Sequence, residues 1–297
     1  ALYQYGQTGF ANKTDLAVTN GGGLRETIAK GKPITKGNVI AVLPFGNTIS
    51  QIKVTGQNIA DMFAKSLGSI LQEKDGKPVL DENGQPLLEP SGGFLQVSGA
   101  KVYYDTTLPA EKRILHIEIK NKETGAYEAL ELAKTYYLTT NDFLAAGGDG
   151  YTMLGGAREE GPSMDVAFAD YLGSADLTAY AVINPNSRTI SMSASKDTDG
   201  DGYTDIEEIK QGTDPNDAAS NPGQSNPTTP TTPSNPVVPS HLSQPTYQAP
   251  AQVRPTGAVS KQETLPQTGS KNPFLISLFG LVLGTFGVAS LKKTQKD

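Results

Sequence analysis

A mixed α/β or α+β domain is the expectation for residues 1 to about 195. Apolar stretches of strand character recur along this region, as in Ile49–Val54 and Ile114–Ile119. Between them Ile59, Met62, Phe63 and Leu67 fall on one face at helical three-four spacing, so strands and helices interleave without a strict βαβ period. Composition agrees: hydrophobic residues are 36% and charged residues 19% of the chain, and the apolar deficit lies after about residue 195. The first two thirds can therefore bury a sizeable core.

In chain order, Leu16–Thr19 is a short apolar strand that ends in an Asn20-Gly21-Gly22-Gly23 loop, with a helix predicted from Leu24 to Lys30. Ile49–Val54 alternates as a strand, and the amphipathic helix follows Gly56. Val97–Tyr104 reads as one further strand. In Ile114–Ile119, Leu115, Ile117 and Ile119 point one way and His116 the other, which predicts a surface histidine. Asn121-Lys122-Glu123-Thr124-Gly125 is a turn, and Tyr136–Thr140 is a strand running into Asn141-Asp142-Phe143. Taken singly, Gly21-Gly22-Gly23 with Arg25 reads either as an anion-receiving loop or as a tight turn. Gly147-Gly148-Asp149-Gly150 by itself is a turn.

Bulk properties exclude several classes. A net charge of −6 gives no basic face for a nucleic-acid backbone. The chain has no cysteine, so neither a disulfide framework nor a thiolate metal site is possible. Its two histidines, His116 and His241, are too few for a two-metal hydrolase centre of the usual imidazole and carboxylate kind. An opening at Ala1, without initiator methionine or signal peptide, predicts a fragment, because the far end reads as an export signal.

That far end has three parts in order. Leu265-Pro266-Gln267-Thr268-Gly269 precedes an uncharged apolar run, Phe274–Ser290, and then Lys292, Lys293 and Lys296. As a helix the run reaches roughly 25 Å, close to a bilayer core, and the lysines hold its end in the cytoplasm. The order resembles the sortase cell-wall sorting signal, the other reading being a plain tail-anchoring helix. The resemblance implies cleavage between Thr268 and Gly269, joining of Thr268 to peptidoglycan, and membrane contact only before sorting. Residues 221–264, rich in Pro, Thr, Ser, Asn and Gln, read as an extended stalk with too little apolar surface to pack, and His241 lies in it.

Residues 193–220 carry a different chemistry. Asp197, Asp199, Asp201, Gly202, Tyr203, Asp205 and Glu208 occupy positions one, three, five, six, seven, nine and twelve of a calcium loop. Tyr203 would offer its carbonyl, Asp205 a water-mediated contact, and Glu208 a bidentate carboxylate. The alternative is an acidic solvated linker. With Gly212-Thr213-Asp214-Pro215 the segment resembles thrombospondin type 3 and dockerin-like repeats, which implies Ca²⁺ as a structural ligand.

Four blocks change the weight of the glycine loops. Asp15–Arg25, Val42–Asn47, Gly92–Gly99 and Asn141–Tyr151 resemble, in order and spacing, the C-terminal domain of the 5′-nucleotidase family. The resemblance covers residues 1 to about 190, so the nucleotide-binding domain is placed at 1–192 and a layered α-β-β-α fold is expected. It implies base-stacking rings at Phe45 and Phe143, and polar contacts from Asn20, Arg25 and Asn47. A ribose-binding carboxylate falls at Asp149, and a glycine beside the base at Gly92. Stacking of a purine between two rings is worth roughly 1–3 kcal/mol per ring. The family's further phosphate-binding arginines and its two-metal phosphoesterase domain lie upstream of the helix that Ala1-Leu2-Tyr3 continues. No catalytic residue is therefore expected in these 297 residues, and the divalent metals of hydrolysis are expected in a missing N-terminal domain. The functional expectation is the substrate-binding part of a wall-anchored 5′-nucleotidase acting on extracellular nucleotides. Its rival is a non-catalytic nucleoside-binding or adhesion module.

Overall fold

The computed structural model describes residues 1–29, 31–180 and 188–223. The expected stalk from residue 224 onward, the sorting pentapeptide with Thr268 and Gly269, and the apolar run 274–290 lie outside the described residues. No described helix is long and apolar enough to cross a membrane.

The elements, in order, are α1 Leu2–Tyr5, β1 Leu16–Asn20, α2 Lys36–Val42, β2 Thr48–Thr55 and α3 Gly56–Ser66. A small hairpin follows, β3 Glu73–Lys74 and β4 Lys77–Pro78, then β5 Leu95–Ser98, β6 Ala100–Tyr104, β7 Ile114–Lys120 and β8 Tyr127–Ala129. The chain continues through β9 Thr135–Asn141, α4 Asp142–Ala145, β10 Arg158–Ser163, α5 Met164–Ser174, β11 Thr189–Ser191 and α6 Asp205–Gln211. Two main sheets result. One has the order β10-β2-β9-β1-β5, antiparallel except for the β1–β9 pair; the other has the order β11-β6-β7-β8, with β11 parallel to β6.

The expected mixed α/β class holds, and the sheets share one core. Leu16, Val18, Ile52, Val54 and Leu138 of the first sheet meet Ala100, Val102, Ile117 and Ile119 of the second around Ile59, Met62, Phe63 and Leu67. All four residues of the predicted helical face are buried. The helix starts where the Thr55 and Asn58 side chains cap each other's backbone, satisfying donors that its first turn leaves open. On the opposite face of the first sheet Ile49 packs with Met164 and Ala167 of α5, and Leu2 and Tyr5 of α1 join them. Alternation in β2 explains the division: Ile49 faces α5, while Ile52 and Val54 face the shared core.

Three expectations change. Residues 24–29 are not helical: Leu24 is extended at φ −102°, ψ 110°, and the Arg25 N–H donates to the Val42 carbonyl at 3.0 Å. Gly31 and Pro33 would leave such a helix under two turns, too short to hold without a buried face. The expected strand Val97–Tyr104 is two strands in two sheets, broken at Gly99, whose φ is +80°. A Cβ at Gly99 would stand 2.6 Å from the Asp15 carbonyl oxygen, so glycine is needed both for the turn and for the close approach. The expected strand Ile49–Val54 forms as β2, covered on both faces, with Ser50 and Gln51 buried along with Ile49 and Ile52. Finally, His116 is a strand residue as expected, but it is partly buried rather than open to solvent. Its side chain is 14% exposed, stacks 6.0 Å from the Tyr103 ring, and has Nε2 3.9 Å from Glu118 Oε1. Helix α6 packs against β7, and burial lowers the histidine pKa despite the carboxylate.

Candidate functional site

The four separated sequence blocks meet at one end of the first sheet, around the ends of β1 and β9. Strand β1 delivers Asn20, and the chain then makes a tight 3₁₀ turn at Gly21–Gly23. Gly22 lies against Gly92: its N–H donates to the Gly92 carbonyl at 2.8 Å, and a Cβ at Gly22 would meet Gly92 Cα at 3.2 Å. The absence of a side chain at both positions lets the two backbones touch.

Strand β9 ends at Asn141, whose side-chain oxygen accepts from the Leu144 N–H at 2.8 Å and so caps the short helix carrying Phe143. The turn after it places Asp149 at φ +52°, a conformation unusual for a residue with a side chain. Asn20 Nδ2 donates to Asp149 Oδ2 at 2.8 Å, and Asn141 Nδ2 donates to Asn20 Oδ1 at 3.0 Å. Asn47 Nδ2 donates to Asp142 Oδ1 at 2.7 Å, which ties the loop of Phe45 to the helix of Phe143. Arg25 stands 5.9 Å from the centre of the Phe45 ring, with Nη1 3.4 Å from the Gly22 carbonyl oxygen. Through these contacts Asn20, Arg25, Phe45, Asn47, Gly92, Phe143 and Asp149 form one connected surface.

The two rings are exposed in it, as are Arg25, Gly92 and Asp149. Phe45 is 61% and Phe143 44% exposed, although most large apolar side chains of the domain are buried. Phe143 rests on Gly148, where a Cβ would come within 2.6 Å of the ring. A small recess is lined by Gly23, Leu43, Phe45, Asn47, Asn141 and Met164. A much larger cleft of about 880 Å³, lined by Leu2, Val42, Ile49, Phe168 and Tyr171 among others, shares Met164 with the recess but includes none of the seven residues. Both rings stand open to solvent, so cavity volume is a poor guide to a site built on them.

Sequence reasoning missed three supporting residues. Asn141 and Asp142 stand inside one of the quoted blocks, but their hydrogen bonds reach 121 and 95 residues back along the chain, which no local pattern encodes. Tyr151 is wholly buried and its hydroxyl donates to the Gly93 carbonyl; burial pushes its pKa up to about 12. A buried tyrosine needing one partner could have been suspected from its place beside the glycine turn.

The acidic segment forms a second cluster. Ligand oxygens of Asp197, Asp199 and Asp201 lie within 4.8 Å of one another. Glu208, in α6, is wholly buried. Its Oε1 accepts from Thr213 Oγ1 at 3.3 Å, while Oε2, Asp199 Oδ2 and Asp201 Oδ2 are buried with no hydrogen-bond partner. Burial, then the Asp199 and Asp201 charges, pushes the Glu208 pKa up to about 7. Asp205 is engaged elsewhere: both its oxygens accept from Thr198, from N–H and hydroxyl at 2.7 Å each. Tyr203 follows the loop, its N–H donating to Asp201 Oδ1 at 2.9 Å. Orphaned buried carboxylate oxygens facing a cluster of like charge suit a hard cation, so the donor set fits calcium.

An α/β domain that gathers exposed rings, amides and a carboxylate at its strand ends has the build of a small-molecule-binding module. Residues 5–156 match the family described as 5′-nucleotidase, C-terminal domain, and the chain belongs to that family. Residues 197–218 match the bacterial TSP3 repeat. The chain is 33% identical over 156 residues to the trifunctional nucleotide phosphoesterase protein YfkN of Bacillus subtilis (strain 168), covering 52% of this chain and 9% of that protein. It is 34% identical over 160 residues to the snake venom 5′-nucleotidase of Naja atra, covering 52% of this chain and 27% of that protein. A crystal structure of the 5′-nucleotidase precursor from Thermus thermophilus aligns at 32% identity and a TM-score of 0.48, over 64% of this chain and 33% of that one. The chain thus spans a minor part of the length of each relative.

Proposed function

We propose that this chain is the substrate-binding part of a 5′-nucleotidase that removes phosphate from extracellular nucleotides and is held on a Gram-positive cell wall. The observation that carries the binding role is the convergence of the four blocks. Two exposed rings, Phe45 and Phe143, are tied together through the Asn47–Asp142 hydrogen bond, beside an Asp149 carboxylate held by Asn20. A purine stacks between the rings, ribose hydroxyls donate to Asp149, and Arg25 with the glycine turn faces phosphate. Metal-activated water for hydrolysis comes from a separate domain with divalent metals, since two histidines far apart in sequence are too few to build such a centre here. The test is a titration of adenosine monophosphate into the purified chain with divalent metal present. Binding without phosphate release is the expected result; phosphate release by this chain alone would move catalysis into it.

In the same reading the TSP3 repeat takes Ca²⁺ through Asp197, Asp199, Asp201, the Tyr203 carbonyl and Glu208, with Asp205 fixing the loop to its helix. Residues 265–297 support the anchoring: a sorting pentapeptide, an apolar run and a basic end, in that order. Sortase would join Thr268 to peptidoglycan. Thr268→Ala should move the protein from the wall fraction to membrane and medium. Continued co-purification of the variant with peptidoglycan fragments after detergent would end the sortase assignment.

A further inference from the structure

We infer that Asn141 is a positioning residue that sets the hydrogen-bonding polarity of the binding site, through Asn20, up to the Asp149 carboxylate. The inference rests on the nucleoside-site reading above and adds to it a residue that contacts no ligand.

A side-chain amide has an accepting end and a donating end, and which way it points is fixed by its partners. At Asn141 the choice is forced by the backbone. The Leu144 N–H, a donor with no partner inside its short helix, needs an acceptor and takes Asn141 Oδ1 at 2.8 Å. The donating end of Asn141 therefore faces Asn20 Oδ1 at 3.0 Å, with Thr19 Oγ1 at 3.3 Å. This in turn orients Asn20, whose Nδ2 is left to donate to Asp149 Oδ2 at 2.8 Å. Turning Asn20 over would set its NH₂ against the Asn141 NH₂ and its oxygen against the Asp149 carboxylate, and turning Asn141 over would set its NH₂ against the Leu144 N–H and its oxygen against Asn20 Oδ1. Asn141 is 3% and Asn20 6% exposed, so water does not readily repair such a mismatch.

The consequence lies at Asp149. Its backbone is held at φ +52°, where a side chain is unfavourable, and the Asn20 donor helps to hold the carboxylate in place there. With Oδ2 so occupied, Oδ1 is the oxygen offered to a diol. One buried side chain thus both caps the helix that presents Phe143 and aims the carboxylate opposite it.

The two duties separate experimentally. Asn141→Asp keeps an acceptor for the Leu144 N–H but cannot donate to Asn20; Asn141→Ser also caps a helix and is too short to bridge. Each variant of the full chain is titrated with adenosine and with 2′,3′-dideoxyadenosine, and its melting transition is recorded. The wild type should prefer adenosine by about tenfold or more. In both variants that preference should fall to within about twofold, with dideoxyadenosine affinity nearly unchanged. Adding Asp149→Ala to either variant should cost no further preference. A preserved preference in folded variants overturns the positioning role alone. Equal losses for both ligands, or loss of folding in both variants, reduce Asn141 to a structural cap. A wild type that binds neither nucleoside overturns the site reading and this inference with it.

Discussion

Phe45→Ala and Phe143→Ala should each weaken adenosine binding by about 1–3 kcal/mol, roughly five- to a hundred-fold, with little change in stability. The separation follows from exposure. At 61% and 44% exposed, these rings contribute little to the core, so truncation leaves no cavity of the kind that costs several kcal/mol. Their apolar faces become covered only when a flat ligand enters, and the loss appears in binding. Asp149→Ala should behave differently, weakening ribosides while sparing the free base, because the carboxylate meets hydroxyls and the rings meet the base. Titration calorimetry with adenosine and adenine on the three variants reads all of this, alongside thermal melts. Wild-type affinity in both ring variants would remove the stacking role. An equal loss for adenine and adenosine in Asp149→Ala would take the carboxylate away from the ribose.

How much of this is legible in the sequence depends on how far each feature reaches along the chain. The helical face Ile59, Met62, Phe63 and Leu67 is readable because its spacing is local and its burial follows from that spacing. The acidic loop is readable because its carboxylates lie within twelve positions of one another. The region after Leu24 reads as helix because Leu24–Ala29 has acceptable helix formers, while what decides its path is a backbone bond to Val42 and the Gly31–Pro33 break. The strand break at Gly99 coincides with a change of phase, the buried apolar positions passing from Leu95 and Val97 to Ala100 and Val102 as the chain passes from one sheet to the other. His116 points away from the apolar side of β7, as alternation predicts, but the sequence does not tell that α6, some ninety positions on, covers that side. In the candidate site, the ring and carboxylate positions follow from the resemblance of whole blocks. The amide relay does not, since each of its links joins residues from opposite ends of the domain.

Ca²⁺ should convert residues 197–208 from a readily cleaved segment to a resistant one, and Asp199→Ala should abolish the protection. The metal-free loop concentrates unmatched charge: three carboxylates with oxygens within 4.8 Å, and buried oxygens of Asp199, Asp201 and Glu208 lacking any partner. A divalent cation among them replaces repulsion by attraction and gives those oxygens a ligand to meet. Binding to the folded loop alone stabilises it by about 2.7 kcal/mol when free Ca²⁺ is a hundred times its dissociation constant. If opening and closing are fast relative to cleavage, added protease then cuts about a hundredfold more slowly than in chelator. The pH dependence has a definite sign. Burial raises the folded pKa of Glu208 to about 7, so its contribution to the metal-free fold is best below the ordinary carboxylate range and is lost as pH rises through about 7. Calcium needs the deprotonated carboxylate, so its affinity, and the protection it gives, should be weaker at pH 5 than at pH 8. Cleavage rates in calcium and in chelator at both pH values measure these effects. Rates that ignore calcium at pH 8, in wild type and Asp199→Ala alike, would leave an acidic linker in place of a metal-ordered one.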